Sequence, residues 1–291
     1  MKPLVPAVAL AVVLQAAAAQ AQTYQGARPI ALGEAYRATA SGNEAMYYNA
    51  AGMSLFLQRY NVDVGWSYNP EGGLHYFNGS ILDTLTSPPL GAAFGFTYFM
   101  GDQIVPDRKT VPDYRKIQGY RLDLGISYPL ARQLLWGFDL KFIDLDVDAR
   151  ESAIYSVTGD MGIIWIMSKY VRGAVVAHNM VPIGRRDMPV QSAASVAIGR
   201  EASFQGITDV VVNYLSTDDV KVQASAGLEM MAGEILALRA GYMYDQIPDA
   251  HYVSGGIGLV APRVGLDFAY RQNLTFTDDR WFALVLKLFA G

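Results

Sequence analysis

Hydrophobic and polar residues alternate at every second position along most of the chain. This period is typical of β-strands that present two different faces. An even number of strands is usual in bacterial single-chain membrane barrels. Between Tyr60 and Phe289 the alternation predicts fourteen strands: Tyr60–Tyr68, Leu74–Leu82, Leu90–Phe99, Tyr114–Tyr128, Gln133–Val147, Ser152–Met167, Tyr170–Met180, Gln191–Ser203, Ile207–Ser216, Val220–Met231, Ile235–Asp245, His251–Val260, Val264–Arg271 and Arg280–Phe289.

The two faces of each predicted strand differ in polarity. In Val264–Arg271, large apolar residues occupy the even positions, whereas the odd positions hold Gly265, Asp267, Ala269 and Arg271. A charge that faces lipid at mid-membrane costs about 2–4 kcal/mol, so we expect the polar faces to point into an enclosed lumen. The glycine, alanine and serine residues among them would leave room for something inside.

Charged residues on the predicted inward positions carry both signs. We expect a structural ion-pair network in the wall; the alternative is a polar rail, or a latch for a segment inside the lumen. On a tight hairpin, Glu229 and Arg239 would be diagonal neighbours. The mixture of signs does not suggest an ion-selective pore. The predicted inward charges are Asp63, Arg121, Asp123, Asp139, Lys141, Lys221, Glu229, Arg239, Asp245, Asp267 and Arg271.

Strand length and aromatic placement favour a membrane barrel over a soluble sandwich. Many predicted strands reach ten residues or more, where soluble strands average about five or six. Aromatic residues cluster near strand ends, as two interfacial girdles would require. Strand six fits less well, because Asp160 and Trp165 are hard to place together, and it allows a β-bulge. The aromatic candidates are Trp66, Tyr68, Tyr98, Phe99, Tyr128, Trp136, Tyr242, Tyr244, Trp281 and Phe282.

The connections between strands alternate in length, as short periplasmic turns and longer outer loops would. One exception is Asp83–Pro89, a longer connection after an even strand. The pattern predicts an all-β fold, a transmembrane antiparallel β-barrel of about fourteen strands. Tight connections follow even strands at Pro129–Arg132, Ser168–Lys169, Phe204–Gly206, Ala232–Glu234 and Ala261–Arg263, and long ones follow odd strands at Met100–Asp113, Val181–Val190 and Gln272–Asp279.

Composition agrees with a membrane protein. Charged residues make up 17% of the chain and hydrophobic residues 52%, whereas soluble domains carry about 25% charged residues. After the N-terminus no apolar run approaches the roughly 20 residues that a membrane helix needs. The net charge of −4 gives no footprint for nucleic acid. With no cysteine, the chain has no disulfide framework, thiolate nucleophile or lipoprotein cysteine.

The first residues have the layout of a secretory signal peptide. Lys2 supplies a positive charge, Val5–Leu14 is apolar, and Ala19-Gln20-Ala21 fits the small-x-small cleavage rule. We expect cleavage before Gln22; the alternative is a single N-terminal membrane anchor. The predicted units are therefore a signal peptide at 1–21, an N-terminal segment at 22–57 and a barrel at 58–291, in the outer membrane of a Gram-negative-type envelope.

The segment before the first strand carries two short motifs. Gly26-Ala27-Arg28 is followed by Gly33 and Ala35, and Tyr47-Tyr48-Asn49-Ala50-Ala51-Gly52 comes about twenty residues later. This resembles the opening of the superfamily that contains the FadL-type fatty-acid transporters and the PorV/PorQ proteins. Ala50 stands where that superfamily usually has proline. Fourteen strands is also the superfamily's number.

The resemblance implies that this segment folds inside the barrel as a hatch. Closely spaced glycine and alanine would let it approach the wall, and its charges could pair with lumen charges. The alternative is a disordered periplasmic leader, which the many apolar residues disfavour. We expect Asn49 to bond backbone in a turn. The candidate hatch residues are Gly26, Arg28, Gly33, Tyr36, Arg37, Glu44, Tyr47, Asn49 and Gly52.

Candidate chemistry is sparse. His75, His178 and His251 lie on three separate predicted strands, whereas a zinc site needs three or four converging ligands. The Gly255-Gly256-x-Gly258 run suggests a bend or a close contact with the hatch, since no helix follows it to form a phosphate loop. We therefore predict no catalytic residues, no metal, no cofactor and no enzyme activity.

Two classes of function remain open. A hatch-plugged barrel with a path of small residues could pass small hydrophobic solutes passively, as the FadL-type resemblance implies. PorV-like relatives instead serve a secretion machine, and the short loops bring this chain closer to those members. A structural barrel without flux is the third alternative. The expected partners are the lipid bilayer and lipopolysaccharide, with either a hydrophobic ligand or a secretion or envelope protein, and no nucleic acid.

Overall fold

A computed structural model of the protein describes residues 26–55, 59–105, 113–147, 154–181, 189–216, 219–233, 235–247 and 249–290. The predicted signal peptide at 1–21 lies outside the described residues. The predicted unit boundaries after Ala21 and after Leu57 also fall outside them and stay predictions.

The described residues form fourteen antiparallel strands that close into one barrel. Each strand pairs with its neighbours in sequence, and β1 pairs with β14 to complete the closure. The predicted all-β barrel and its strand number are confirmed. The strands are β1 Tyr60–Asn69, β2 Leu74–Asp83, β3 Gly91–Val105, β4 Asp113–Ala131, β5 Leu134–Val147, β6 Ile154–Ile166, β7 Val171–His178, β8 Val190–Arg200, β9 Phe204–Ser216, β10 Asp219–Ala232, β11 Leu236–Asp245, β12 Ala250–Val260, β13 Val264–Asn273 and β14 Arg280–Ala290.

Three local predictions were wrong. Half of the predicted loop Met100–Asp113 is strand, because Met100 to Val105 pair with Gln118 to Asp113. The turn between β8 and β9 lies at 201–203 rather than Phe204–Gly206, since Arg200 pairs with Phe204. The register of β6 is continuous with both neighbours, so there is no bulge.

Strand six obeys the alternation after all. Asp160 and Trp165 are five positions apart and therefore lie on opposite faces. Asp160 is buried in the lumen, and Trp165 is exposed on the outer surface.

The two ends of the barrel have different connections. We call the end where β1 begins and β14 ends the terminal end, and the opposite end the far end. At the terminal end, connections of two to four residues join β4 to β5, β6 to β7, β8 to β9, β10 to β11 and β12 to β13, and residues 84–90 form the longer exception. At the far end, residues 179–189 and 274–279 form longer connections.

The outer surface is apolar and the inner surface is polar. On β13, Leu266 and Phe268 are exposed, whereas Asp267 and Ala269, which alternate with them, are buried. Large hydrophobic residues are exposed in this way on all fourteen strands. None of the helices in the described part of the chain is long and apolar enough to span a bilayer.

Two of the predicted girdle aromatics point inward instead. Phe99 and Trp281 are almost fully buried in the lumen, where Tyr76 lies with its ring centroid 5.7 Å from each of theirs. The prediction failed because neighbouring aromatics, such as Trp281 and Phe282, lie on opposite faces of a strand. Near the far end these rings belong to an inner apolar cluster of Leu74, Tyr76, Phe99, Ile117, Ile143, Leu145 and Trp281.

Residues 26–55, the described part of the N-terminal segment, pack against the inner wall. The segment contains two short helices, α1 at Ala27–Ala31 and α2 at Ala45–Tyr48, and a 3-10 helix at Ala50–Leu55. Every residue of it except Gly42 and Leu55 is buried. Helix α1 contacts β11 to β14, and the 3-10 helix contacts β3 to β6 on the opposite wall.

Candidate functional site

The N-terminal segment has two halves of different chemistry. Residues 26–44, the charged half, contain Arg28, Glu34, Arg37 and Glu44. Residues 45–55, the apolar half, contain no charged residue. The two halves are held to the wall in different ways.

Arg28 forms the most extensive contact of the charged half. Its guanidinium donates to both carboxylate oxygens of Glu229, at 2.9 and 2.8 Å. It also donates to the Ser41 hydroxyl at 2.9 Å and to Glu201 at 3.2 Å. A bidentate arginine–carboxylate pair combines charge with fixed geometry, so it holds α1 against β10 in one orientation.

Glu229 lies at the centre of a wider network. Arg239 donates to it at 2.6 Å and to Asp267 at 2.5 Å. Glu229 and Arg239 are direct cross-strand partners rather than the predicted diagonal neighbours, because the hairpin turn pairs Ala232 with Leu236. Each buried charge here has a partner of opposite sign, which offsets part of its desolvation cost.

Lys287 connects this network to the end of the charged half. Its ammonium group lies 2.9 Å from Asp267 and 2.8 Å from Glu44. The segment is thus tied to β10, β11, β13 and β14 through one continuous set of buried ion pairs.

Glu34 lies at a tight turn after α1. Gly33 and Glu34 both have left-handed backbones, with φ of +63° and +67°. A Cβ at Gly33 would also lie only 2.7 Å from the Tyr242 backbone nitrogen, so glycine is required there for two reasons. The Glu34 carboxylate accepts from Arg271 at 3.1 Å and from the Tyr48 hydroxyl at 2.5 Å, which holds this strained residue in place.

Asp209 on β9 organises the chain at residues 36–38. One carboxylate oxygen accepts from the backbone nitrogens of Tyr36 and Arg37 and from the Arg37 guanidinium, each at 3.1 Å. The other oxygen accepts from the Ser195 hydroxyl, which in turn accepts from the Ala38 nitrogen at 3.0 Å. A single wall carboxylate therefore fixes a stretch of segment backbone.

Arg37 also reaches a cluster on β5, β6 and β7. It donates to His178 Nε2 at 3.3 Å, and His178 Nδ1 lies 2.6 Å from Asp160. Asp160 is also 2.6 Å from Lys141 and accepts from the Asn179 backbone nitrogen at 2.8 Å. Asn179 has a left-handed φ of +52°, and β7 ends one residue earlier.

The apolar half fits against inward-facing glycines. A Cβ at Gly137 would overlap the backbone of Ala50 and Ala51, and one at Gly162 would overlap the Asn49 side chain. A Cβ at Gly125 would come within 2.9 Å of the Met53 methyl group. The predicted small inward residues are where the segment docks.

Asn49 bonds backbone, as expected from sequence. Its amide donates to the Arg37 carbonyl at 3.1 Å, and its oxygen accepts from the Ala51 nitrogen at 3.2 Å. Tyr47 lies beside Arg121, whose guanidinium carbon is 5.0 Å from the ring centroid. Gly52 is needed because a Cβ there would overlap the Ala40 carbonyl.

Helix α1 meets a second glycine-containing wall. A Cβ at Gly227 would overlap Leu32, one at Gly241 would overlap Leu32 and Gly33, and one at Gly256 would reach the Ala31 side chain. Gly256 belongs to the Gly255-Gly256-x-Gly258 run on β12. Of the two interpretations given for that run, close contact with the segment describes the geometry at Gly256. Gly26 accepts from the Ile30 nitrogen at 3.1 Å and begins the helix.

The predicted inward charges lie inward. Asp63, Asp139 and Asp123 are buried, and Arg121 donates to Asp123 at 2.9 Å. Lys221 also lies on the inward face, but it is partly exposed. The other seven predicted inward charges, Lys141, Glu229, Arg239, Asp245, Asp267, Arg271 and Arg121, are buried as well.

Sequence analysis did not single out Asp209 or Lys287 as inward charges, although both make buried ion pairs with the segment. Lys287 shares an inward register with Trp281, Ala283 and Val285, so its neighbours look apolar. On its own face of β9, Asp209 lies between the apolar residues Ile207 and Val211. Counting positions from a known inward residue would have found both.

A cavity of about 1080 Å³ opens at the terminal end of the lumen, below the N-terminal segment. We call it the terminal cavity. Arg28, Glu229, Arg239, Asp267 and Lys287 line its inner part. At the far end the inner apolar cluster continues to Arg271, whose guanidinium carbon lies 5.3 Å from the Tyr252 ring and 5.5 Å from the Trp281 ring.

The three histidines lie apart. His178 is in the lumen, whereas His75 and His251 are on the outer surface and bond Trp66 and Tyr242, at 3.2 and 2.6 Å. Among the described residues, no group of three or more His, Cys, Asp or Glu side chains converges as a metal site requires.

No family model and no curated protein matches this chain. Solved structures do resemble it. The CymD monoaromatic hydrocarbon channel is 14% identical, with a TM-score of 0.66 over 91% of this chain and 96% of that one. The toluene transporter TbuX of Ralstonia pickettii is 13% identical, with a TM-score of 0.65 over 92% and 97% of the two chains. A FadL homologue of Pseudomonas aeruginosa is 10% identical, with a TM-score of 0.62 over 91% and 97%. These likenesses show a shared fold.

Proposed function

We propose that this protein is an outer-membrane barrel through which small hydrophobic molecules pass passively, with the N-terminal segment as its gate. The observation that carries the proposal is the fold likeness over more than nine-tenths of the chain to a monoaromatic hydrocarbon channel and a toluene transporter. Fold alone does not fix function, so features of this chain must support it separately.

The outer surface supports a membrane position. A barrel in lipid needs an apolar outer band, and here large apolar side chains cover the outside of the strands. The predicted signal peptide would carry such a chain out of the cytoplasm. We place the terminal end in the periplasm, because short turns belong on that side in bacterial barrels.

The lumen supports a hydrophobic solute. Near the far end, the inner apolar cluster would offer aromatic and aliphatic contacts to a solute that entered from outside. Below it, the N-terminal segment blocks the way with buried side chains. In this proposal the charged half shifts to admit the solute. Most of its contacts are ion pairs and hydrogen bonds, which can be exchanged one at a time, and among the described residues its close glycine contacts with the wall are confined to Ala31–Gly33. The barrel is a channel and not an enzyme.

Uptake by whole cells tests the proposal. Gram-negative cells that lack such barrels would express the full chain, and the initial rate of labelled toluene uptake would be compared with cells that carry an empty vector. We expect faster uptake of toluene and no change for a charged solute of similar size, such as benzoate. Equal toluene rates with equal amounts of folded barrel would overturn the proposal.

Conductance tests the gate. We expect the purified full chain to be closed to ions in planar bilayers, and a chain that lacks residues 22–57 to form a large open pore. Arg28→Ala should give intermittent openings and a lower unfolding temperature, because Glu229 and Glu201 lose a shared partner. Unchanged conductance and heat stability in Arg28→Ala would rule out a latch at this residue.

If toluene uptake does not rise, the alternative to test is that the barrel is a secretion or assembly partner like the PorV/PorQ proteins. A closed full chain, an open deletion chain and unchanged toluene uptake would indicate a plugged barrel without flux. Affinity capture with the intact barrel would then be the next measurement.

A further inference from the structure

The terminal cavity has an uneven distribution of charge. Its inner part is balanced, with three basic residues (Arg28, Arg239 and Lys287) and three acidic ones (Asp63, Glu229 and Asp267). Among the described lining residues its mouth is not balanced, because Lys169, Arg172 and Arg200 accompany one carboxylate, Glu201. An open cavity with surplus positive charge attracts anions.

Lys169, Arg172 and Arg200 lie at two adjacent hairpins, β6–β7 and β8–β9. The Gly199 nitrogen donates to the Tyr170 carbonyl at 2.8 Å, which holds the turn that carries Lys169 beside the end of β8. Arg172 lies 3.3 Å from Glu201, and its side chain keeps 27% of its surface exposed. Lys169 and Arg200 are exposed. Two arginines and one lysine thus line one cavity from neighbouring hairpins, and a guanidinium or ammonium group is a strong donor to an anion.

The opposite side of the mouth is apolar, although it faces the lumen and not the lipid. Ile235 is in register with the inward residues Ala237 and Arg239, yet 60% of its surface is exposed. Val260 lies next to it, with its nitrogen bonded to the Ile235 carbonyl at 2.8 Å, and is 40% exposed. Met231 and Phe289 line the same cavity. Apolar side chains in a water-accessible cavity gain free energy when an apolar ligand covers them.

The basic and apolar sides are close enough for one small molecule. Arg28 contacts both Glu201, on the basic side, and Glu229, two positions before Met231 on β10. One guanidinium therefore reaches from the basic side to the strand that carries Met231. The cavity volume of about 1080 Å³ slightly exceeds the range of small-molecule sites, which run to about 1,000 Å³.

We propose that the terminal cavity is a binding site for small amphiphilic organic anions. The anionic group would bond Arg172, Arg200 and Lys169, and a compact apolar body would cover Met231, Ile235 and Val260. The site is distinct from the inner apolar cluster at the far end, and it does not depend on transport of neutral solutes.

Calorimetric titration of the full chain in an uncharged detergent tests this site. The probes are 4-butylbenzoate and 4-butylbenzyl alcohol, which share the apolar body and differ in charge. We expect the benzoate to bind at least about tenfold more tightly than the alcohol, with an affinity that falls as salt rises. Equal affinity for the two probes, after subtraction of titrations into empty micelles, would overturn the proposal.

Variants locate the site. Arg172→Gln combined with Arg200→Gln should weaken benzoate binding about tenfold or more, because charge-assisted hydrogen bonds are lost. Ile235→Ser should weaken both probes. The matched control is Arg132→Gln combined with Arg263→Gln, which removes two exposed basic residues of the same end that do not line the cavity. Equal losses in both double variants would show general charge attraction and refute a built site. Each variant must first show the heat-modifiable gel migration of a folded barrel.

Discussion

The two halves of the N-terminal segment are equally buried, but they are held by different forces. The charged half is tied to the wall by ion pairs from Arg28, Glu34, Arg37 and Glu44, and within the described part of the chain it has close glycine contacts with the wall only at Ala31–Gly33. The apolar half has no charge and lies where wall glycines remove side-chain volume. Ion pairs can be lost to a single substitution or to a competing charge, whereas close packing yields only when the backbone moves. We infer that the charged half is the mobile part of the gate and the apolar half its anchor.

Removal of the central carboxylate should have the largest effect. Glu229→Gln leaves Arg28 and Arg239 buried beside a neutral amide, and breaking a buried pair in this way costs about 3–5 kcal/mol. We expect that loss in the free energy of unfolding by urea, together with channel openings. Glu71→Gln, on the exposed β1–β2 turn, is the control and should change neither. A Glu229→Gln barrel as stable as the parent would contradict the central position of this carboxylate.

Overfilling the anchor should have the next largest effect. Gly137→Val places side-chain atoms in the backbone of Ala50 and Ala51, and overpacking costs about 1–3 kcal/mol. We expect that loss in unfolding free energy and faster protease cleavage of the segment. Gly79→Val is the matched control, because a Cβ there meets no atom within 4 Å. Similar results for the two variants would mean that the glycine contacts do not hold the segment.

Arg28→Lys should have a smaller effect. It keeps the charge but loses the bidentate geometry with Glu229, which we expect to cost about 1 kcal/mol. Conductance traces should show brief openings, fewer than in Arg28→Ala. The control is Arg132→Lys on the exposed rim. If Arg28→Lys behaves like Arg28→Ala, fixed geometry and not charge is what closes the gate.

A crosslink in the anchor should have the smallest effect on uptake. The Ser54 and Ser127 hydroxyls lie 2.6 Å apart, and the chain has no cysteine of its own. Ser54→Cys combined with Ser127→Cys should therefore form one disulfide between segment and wall. If the anchor stays in place during passage, toluene uptake will be the same before and after reduction of the disulfide. Uptake that appears only after reduction would show that the anchor moves too.

Much of the fold follows from the alternation in the sequence. Strand number and most strand bounds were predicted, because inward and outward faces see lumen and lipid, and a charge on the wrong face is costly. The errors arose where the alternation cannot decide. Trp281 and Phe282 are both aromatic, so composition near the strand end does not say which one faces lipid. The turn at 201–203 was misplaced because Ser203 to Gly206 contains turn-forming residues on either side of Phe204.

The candidate site was predicted less completely. Arg28, Arg37 and Glu44 could be named as segment charges, and Glu229, Arg239 and Asp267 as lumen charges, but not which pairs meet. That pairing depends on where the segment lies inside the closed lumen. It joins residues as distant in sequence as Arg28 and Glu229. The signal peptide and the substrate stay predictions.

The sequence by itself determined a two-faced, fourteen-stranded wall and a segment too apolar to remain in water. Alternation is a local property, so each strand carries it independently of the rest. Tertiary structure decided where Asp209 and Lys287 act, which glycines receive the segment, and that basic turns and apolar rim residues enclose one cavity. These depend on barrel closure, which brings β1 beside β14 and joins residues that are far apart along the chain.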